Sequence, residues 1–578
     1  MYTGTIARIN LTDGKIRKEK TNREWARKYI GGKGLGFKYL SEELEKGADP
    51  LSPHNKIMFF TGPYAGTSIP LSSRIAVITK SPHTGTILDS YAGGAFAAEL
   101  KFAGYDAVII EGKSENPVYI HIENDSVTLA DASELWGKGT HETETILKKK
   151  HGDMSVMSCG QAGENLVKFA CLTTEYFRHA GRGGCGAVFG SKNLKAVSVA
   201  GSKDIVVPKM KELVSFVNTL IKEDVLTDTN LWAKTDGTPM IVELSNDAHI
   251  LPTRNFQQGS FEKWRNLNAD AIRTGKSRDK ACFACPLGCA KFVRKGSART
   301  DGPEYETLAL CGSNCGIGEL ENIVAFNERC DDLGLDSMSC GDVTAFACEC
   351  TEKGIADFGV RFGDTESYLK MPERIAKRQG EASDLAEGTR FSAKKYGTDI
   401  ACEVKGLEYP GYDPRGSVAM ALAYATSDRG ACHLRAWPVA DEAFGSLNPF
   451  TTEGKAQLVV TQQNNTASKF SLVLCDFWAC SSENQRKLLN FLVEKEYSEE
   501  EFAFVGERIW NLGRMFNVRE GFSRKDDYLP KRITTPLADS GKSLRQEDFD
   551  CMLQEYYGIR GWDENGIPTK EKIGELMI

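Results

Sequence analysis

Hydrophobic and polar positions change rhythm part-way along the chain. From Thr5 to Leu11 they alternate, a turn falls at Asp13-Gly14, and alternation resumes through Ile16, which predicts an opening β-hairpin. Short apolar runs at Ile57–Phe60, Ile75–Ile78, Ala107–Ile110, Val118–Ile122 and Ala196–Val199 predict further strands, with a helix over Gly94–Ala103. The order is not a regular βαβ alternation, so layered sheets with helices are expected. After about residue 205 the apolar residues take helical spacing, in Met210–Lys222, Ile323–Leu333, Val343–Lys353, Ser383–Lys395, Ser417–Thr426, Asn484–Lys495 and Glu499–Phe516. Strand signals nearly vanish there, and no internal repeat is visible. One boundary falls near Lys203–Pro208. A softer one falls near Tyr409–Gly416, where Pro410, Gly411, Pro414 and Gly416 punctuate the chain. The expectation is an α+β protein in three parts, 1–205, 206–410 and 411–578.

Composition narrows the function class. At 578 residues the chain exceeds a single hydrophobic core. A net charge of -7 with both signs well mixed speaks against nucleic acid or an anionic membrane, and small molecules are the expected partners. No apolar run approaches the roughly 20 residues that span a bilayer. The opening MYTGTIARINL lacks the build of a signal peptide, so a cytoplasmic protein is expected. In that compartment seventeen cysteines read as thiols and metal ligands rather than disulfides.

Three of them stand together. Ala281–Ala290 reads ACFACPLGCA, a C-x2-C-x3-C run tightened by Pro286 and Gly288. Three thiolates within eight residues can converge on one iron–sulfur cubane, which needs a fourth ligand from elsewhere. Cys475 is the first candidate and Cys480 the second. A structural zinc site would bring a second C-x2-C, and none exists. A radical enzyme using S-adenosylmethionine would more often show the reverse spacing, C-x3-C-x2-C.

Two glycine-rich stretches, Gly31–Gly36 (GGKGLG) and Gly181–Lys195 (GRGGCGAVFGSKNLK), suggest backbone cradles for an anionic cofactor, with Lys33, Arg182, Lys192 and Lys195 to neutralise it. Neither is a Walker loop or a dinucleotide fingerprint. Downstream of the cysteines, DGPEYETLALCG holds Asp301, Glu304 and Glu306, one of them a candidate acid or base. CDDLGLD sets Asp331 and Asp336 at a helix end, suited to a heterocycle. SDRGACHLRAW carries Arg429, His433 and Arg435. A single histidine of this kind is more often a hydrogen-bonding residue than a catalyst.

Together with LSSR ending at Arg74, AGGAFAAELKFAGYDA, GPEYETLALCGSNCGI and YDPRGS…ALAYATSDRGACH, these segments resemble the aldehyde ferredoxin oxidoreductases over essentially the whole chain. The resemblance implies an N-terminal domain of two β-sheets with helices, two mainly helical domains, and a tungsten bis-pyranopterin at their junction. It implies that Arg74, Gly93, Gly181 and Arg182 hold pterin phosphates, with Ala92, His179 and Leu474 also at the cofactor. Carbonyls of Tyr91 and Ala180 would meet a bridging Mg2+. Asp331, Leu335 and Asp336 would contact one pterin, and Arg429 and Arg435 would lie nearby. Cys282, Cys285, Cys289 and Cys475 would ligate a [4Fe-4S] cluster, and Glu306 and His433 would form the active-site pair.

The implied reaction is oxidation of an aldehyde to the carboxylic acid with water, His433 polarising the carbonyl and Glu306 deprotonating the nucleophile. The acceptor would be ferredoxin or a small ferredoxin-like subunit. A low-potential acyl or aromatic thioester reductase and a non-catalytic electron-relay subunit are the rival readings. The chain departs from the family pattern in three places. The D-x-x-G-x-C motif before the fourth cysteine is replaced by Phe470–Leu474, Tyr91 stands where asparagine is usual, and the E-x-x-H pair of a dimer-interface iron is missing, so no dimer is inferred.

Overall fold

The structure is a computed structural model and describes residues 1–295 and 298–578. The expected hairpin forms from β1 (Thr5–Asn10) and β2 (Lys15–Lys20). It joins β3 (Ile57–Phe60), β4 (Ile75–Lys80), β5 (Ile87–Ala92) and β6 (Ala107–Glu111) in a sheet ordered β2-β1-β6-β3-β4-β5. Only the β1/β6 pair is parallel. The central strands are buried along their length, which is why they read as apolar runs without alternation.

A second sheet follows, made of β7 (Val118–Glu123), β8 (Ser126–Asp131), β9 (Ser155–Cys159), β10 (Leu172–Thr174), β11 (Arg178–Ala180) and β12 (Leu194–Ala200). Its order, β8-β7-β12-β9-β10-β11, is that of the first sheet moved on by six strands, with the corresponding β7/β12 pair parallel. Helices repeat as well. Gly32–Glu43 and Thr140–His151 follow the two hairpins, and Phe96–Phe102 and Cys185–Ser191 precede the two last strands. The absence of a visible repeat in the sequence is therefore corrected at the level of topology. Edge strands β5 and β11 come into contact, so the two sheets meet along equivalent edges.

The remainder is mainly helical, dominated by Leu320–Leu333, Ser337–Glu352, Lys455–Ser471 and Glu499–Arg519. The window expected over Ser383–Lys395 is two helices, Ala382–Leu385 and Thr389–Tyr396, parted at Gly388, whose φ of 92° no ordinary helical residue adopts. Strands nearly vanish here, as expected, but for two small sheets. β13 (Lys276–Lys280), β14 (Ala290–Lys295) and β15 (Ala298–Asp301) form an antiparallel sheet, and β16 (Glu403–Val404) pairs with β17 (Leu407–Glu408). β13 reads KSRDK and has no apolar face to betray it; Val293 of β14 anchors the sheet against Ile272 and Val324. Among the described residues no helix is long and apolar enough to cross a membrane.

Candidate functional site

The three clustered cysteines lie in the connection from β13 to β14. Ala284 (φ 51°) and Gly288 (φ 55°) turn the loop back on itself, and the amides of Gly288 and Leu287 point at the Cys285 sulfur. Cys475 arrives from the far end of the chain, pinned by its N–H to the Leu71 carbonyl at 2.8 Å, with the Phe477 amide aimed at its sulfur. Each of Cys285 and Cys289 feels the charge of both Cys475 and Cys282, so the four thiols are neighbours. Among the described residues no three His, Cys, Asp or Glu side chains stand close enough to hold one metal ion. Four neighbouring thiols with amides directed at sulfur fit a polynuclear cluster. Cys480 stands apart, its thiol on the Ser481 carbonyl and its neighbours Asp224 and Lys469.

Basic residues border this group. Arg74 pairs with Asp476 and sets Nη2 3.3 Å from the Cys475 sulfur. Arg178, which the motifs do not single out, faces Cys282 and Cys289, and its Nη2 has no partner. It sits three residues before Gly181 in RHAGRGG, where a third basic residue beside the glycines is the available signal. Gly93 ends β5 directly against the loop: a Cβ there would lie 2.9 Å from the Cys282 sulfur.

The equivalent end of β11 faces a different neighbour. Gly181 has open space: a Cβ there would find its nearest atom, Asp336 Oδ1, at 3.8 Å. Asp336 caps the helix Ser337–Glu352 by accepting from the Met338 and Ser339 amides, and it pairs with Arg182 at 3.3 Å. Arg182 also donates to the Ala431 and Glu408 carbonyls, tying all three parts of the chain. Asp331 meets His179 Nε2 at 3.1 Å, and this carboxylate outweighs burial to raise the imidazole's pKa. Leu335 bridges to Ala170, and the Asp336 amide donates to the Phe169 carbonyl.

The lysines assigned to phosphate do other work, and that expectation is corrected. Lys33 is fully buried between Asp89, at 3.1 Å, and Asp428. Lys192 donates to the carbonyls of Pro53, Asn55 and Gly112, and Lys195 to Glu164 and the Lys138 carbonyl. Gly31 and Gly32 admit backbone, not phosphate: a Cβ on Gly32 would strike the Phe470 carbonyl, and one on Gly31 would come within 3.0 Å of the Ser471 carbonyl.

Asp89 organises the floor of the junction. Burial pushes its carboxyl up, but Arg435, Lys33 and Arg429 outweigh that and hold it well below the usual range. Arg435 and Arg429 both reach the Asp89 carbonyl, at 2.8 and 3.0 Å; Arg429 leaves Nε without a partner, whereas Arg435 Nε lies 3.5 Å from Asp428. Orphaned guanidinium donors, Arg429 Nε here and Arg178 Nη2 beside the cysteines, are what a buried polyanion would satisfy. Cys432 lies between the same arginines, Arg429 Nη2 at 3.1 Å; they overcome burial and lower its thiol's pKa.

Glu306 and His433 are brought together here, Oε1 to Nδ1 at 3.3 Å, both largely buried. Burial raises the Glu306 carboxyl to about 8, against the Gly411 N–H that donates to Oε2 at 2.7 Å and the field of Arg182. Burial, then Arg182, Arg429 and Arg435, push the His433 imidazole well below its ordinary range. At neutral pH the pair holds a protonated carboxyl beside a neutral imidazole. Tyr412 flanks His433 at 5.6 Å between ring centroids, with Trp437 and Phe444 behind it. Of the other carboxylates, Asp301 is pushed up to about 8 by burial and neighbours Arg178, while Glu304 is exposed; neither is paired with His433.

Comparison with known proteins decides the lineage. Residues 6–201 match the aldehyde ferredoxin oxidoreductase N-terminal domain, and residues 213–578 match domains 2 and 3 of the same family. The chain belongs to the aldehyde ferredoxin oxidoreductase family. It is 40% identical to the tungsten-containing aldehyde ferredoxin oxidoreductase of Pyrococcus abyssi over 100% of this chain and 99% of that protein. It is 30% identical to the aliphatic sulfonate oxidoreductase, WOR-like subunit, of Pyrococcus furiosus over 100% and 97%. Among solved structures it resembles the active site complex BamBC of benzoyl coenzyme A reductase, with a TM-score of 0.86 and 26% identity over 100% and 97%.

Set against the family pattern, two of the departures in sequence touch one another. Tyr91, in place of asparagine, packs on Phe470, in place of the motif's aspartate, with ring centroids 4.6 Å apart. Arg435 lies over the same Phe470 ring at 5.3 Å, and the Tyr91 hydroxyl donates to Asp89 at 2.7 Å. An aromatic pair thus occupies the two positions where the pattern has polar residues. Val473, at the motif's glycine position, keeps a left-handed backbone with φ 59°. Its side chain fills the space left by Gly62, where a Cβ would lie 2.7 Å from it.

Proposed function

We propose that the chain oxidises an aldehyde to its carboxylic acid with water in the cytoplasm, ferredoxin or a small ferredoxin-like subunit accepting the two electrons one at a time. The observation that carries this reading is the buried Glu306–His433 pair, set at a three-part junction beside arginines with unpaired donors. The division into 1–205, 206–410 and 411–578 goes with it, the site lying where the three parts meet. Cys282, Cys285, Cys289 and Cys475 would hold a [4Fe-4S] cluster. Arg74, Ala92, Gly93, His179, Gly181, Arg182, Asp331, Leu335, Asp336, Arg429, Arg435 and Leu474 would hold a tungsten bis-pyranopterin, with Mg2+ at the Tyr91 and Ala180 carbonyls on the touching edges of β5 and β11. When bound, the metal supplies a Lewis acid and a two-electron sink.

The residues supply the proton chemistry. His433, held neutral beside Glu306, would hydrogen-bond a substrate oxygen. Glu306 becomes a base as its proton leaves near pH 8, the Gly411 amide stabilising the carboxylate. The low polarity that raises its pKa also makes that carboxylate a stronger base. The aromatic wall of Tyr412, Trp437 and Phe444 suits a hydrocarbon aldehyde better than a phosphorylated one. The thioester-reductase reading has less support, since the relative named for it shares 26% identity against 40% for the aldehyde enzyme.

The test is anaerobic viologen reduction by metal-loaded protein across aliphatic, aromatic and phosphorylated aldehydes. Glu306→Gln is expected to abolish turnover while tungsten content is unchanged; turnover at the parent rate would sink the assignment. Full tungsten with no response to any aldehyde would favour the thioester reading.

A further inference from the structure

The sheet that carries the cysteine loop has a charge opposite to that of the protein. Between Lys276 and Asp301 the chain has seven Lys and Arg against two Asp, in a protein of net charge -7. Some of this charge is answered locally. Asp279 pairs with Lys276 and with the buried Lys291, and Glu175 stands 3.8 Å from Lys280. Arg278 and Arg294 are exposed and have no carboxylate partner among the described residues. Arg278 is held in place over the Phe292 ring at 5.3 Å, so its charge is displayed rather than free to fold away.

The sheet's own apolar packing rests on Val293 against Ile272 and Val324 and calls for none of this charge. The same sheet holds the loop in which Ala281 and Ala284 are exposed and Cys282, Cys285 and Cys289 are half-buried. Exposed residues beside Cys282 and Cys285 bring their sulfurs close to solvent at this face.

From this juxtaposition we infer that the β13–β15 sheet is the docking surface for a free ferredoxin of net negative charge, Arg278 and Arg294 steering it onto the cysteine loop. The inference rests on the acceptor assigned under the proposed function and adds its place of contact. Complementary charge of this kind raises encounter rates and fixes orientation, and it is screened by salt.

The experiment uses holoenzyme. The double variant Arg278→Glu/Arg294→Glu is compared with the matched charge reversal Arg17→Glu/Lys113→Glu, which starts from exposed residues near the β2 edge, opposite β5 in the first sheet. Binding of an acidic [4Fe-4S] ferredoxin is measured by calorimetry across ionic strength, without aldehyde, and viologen reduction is measured separately. At low salt the sheet variant is expected to bind ferredoxin about tenfold more weakly, and the parent's affinity to fall steeply with salt. The control should bind as the parent does, and viologen turnover should be unchanged in both. Binding within twofold of the parent, equal loss in the control, or salt-independent binding by the parent would each overturn the inference. So would a permanently attached subunit covering this face. Because binding is read without aldehyde, a failure of aldehyde oxidation counts against the proposed function alone.

Discussion

The two sheets of the N-terminal part share one strand order, yet their touching edges end on different chemistry. β5 runs into Gly93 and meets a thiol, Cys282; β11 runs into Gly181 and meets a carboxylate, Asp336. Backbone pairing repeats the frame, and a few residues after each strand decide what the frame holds. On the β5 side the contact is close and a side chain has no room. On the β11 side a small opening is kept, and Arg182 closes the circuit electrostatically instead.

Four expectations, resting on substitutions at five positions, test how far the two edges differ. Cys475→Ala removes the ligand that reaches the β5 side from the other end of the chain; iron content is expected to fall to background, and retention of the parent's iron would return the fourth position to Cys480. Asp336→Ala on the β11 side removes a helix cap, about 1 kcal/mol, and leaves the buried Arg182 short of its carboxylate, about 3–5 kcal/mol for such a loss. Denaturant unfolding should show most of that loss, and Asp336→Asn, which keeps the cap acceptor, should recover the smaller share.

Replacing the two equivalent glycines asks the question most directly. Gly93→Ala must displace Cys282 and should alter the cluster's electron paramagnetic resonance spectrum, whereas Gly181→Ala should leave that spectrum unchanged. Equal effects would show the edges to be alike. Val473→Gly is expected to have the smallest effect. It relieves a left-handed residue, worth about 1–2 kcal/mol, but gives up a buried valine worth about 1.5–3 kcal/mol, so a small net destabilisation should appear in thermal melts.

A fifth expectation concerns the pair at the junction. Burial holds the Glu306 carboxyl protonated up to about pH 8, so turnover should rise as pH passes through that value. The same shift makes the folded state bind a proton that the unfolded chain has released, so Glu306 lowers stability as pH climbs from the ordinary carboxylate range towards 8. A rate independent of pH across that interval would contradict the base assigned to Glu306.

Legibility in the sequence follows physical cause. The β1–β2 hairpin can be read because one of its faces is buried and the other wet. The repeat of the two sheets cannot, because it lives in backbone hydrogen bonds that many side-chain patterns satisfy. β13 escapes because its residues answer to charge rather than burial. Lys33 misleads for a related reason: a glycine loop with a lysine looks the same whether the glycines approach phosphate oxygens or, as here, the carbonyls of Phe470 and Ser471. Glu306 and His433 are legible through resemblance; neither segment alone points to the other, and only the fold brings them to 3.3 Å.

The buried charges at Lys33, Asp89, Asp428 and Arg435 have a consequence for how the chain is held shut. They come from both ends of the chain and close on one another out of reach of water. Losing one member would leave an opposite charge buried and uncompensated. The seam between the first and last parts of the chain is therefore clasped by charge, and it is only as strong as its least replaceable member.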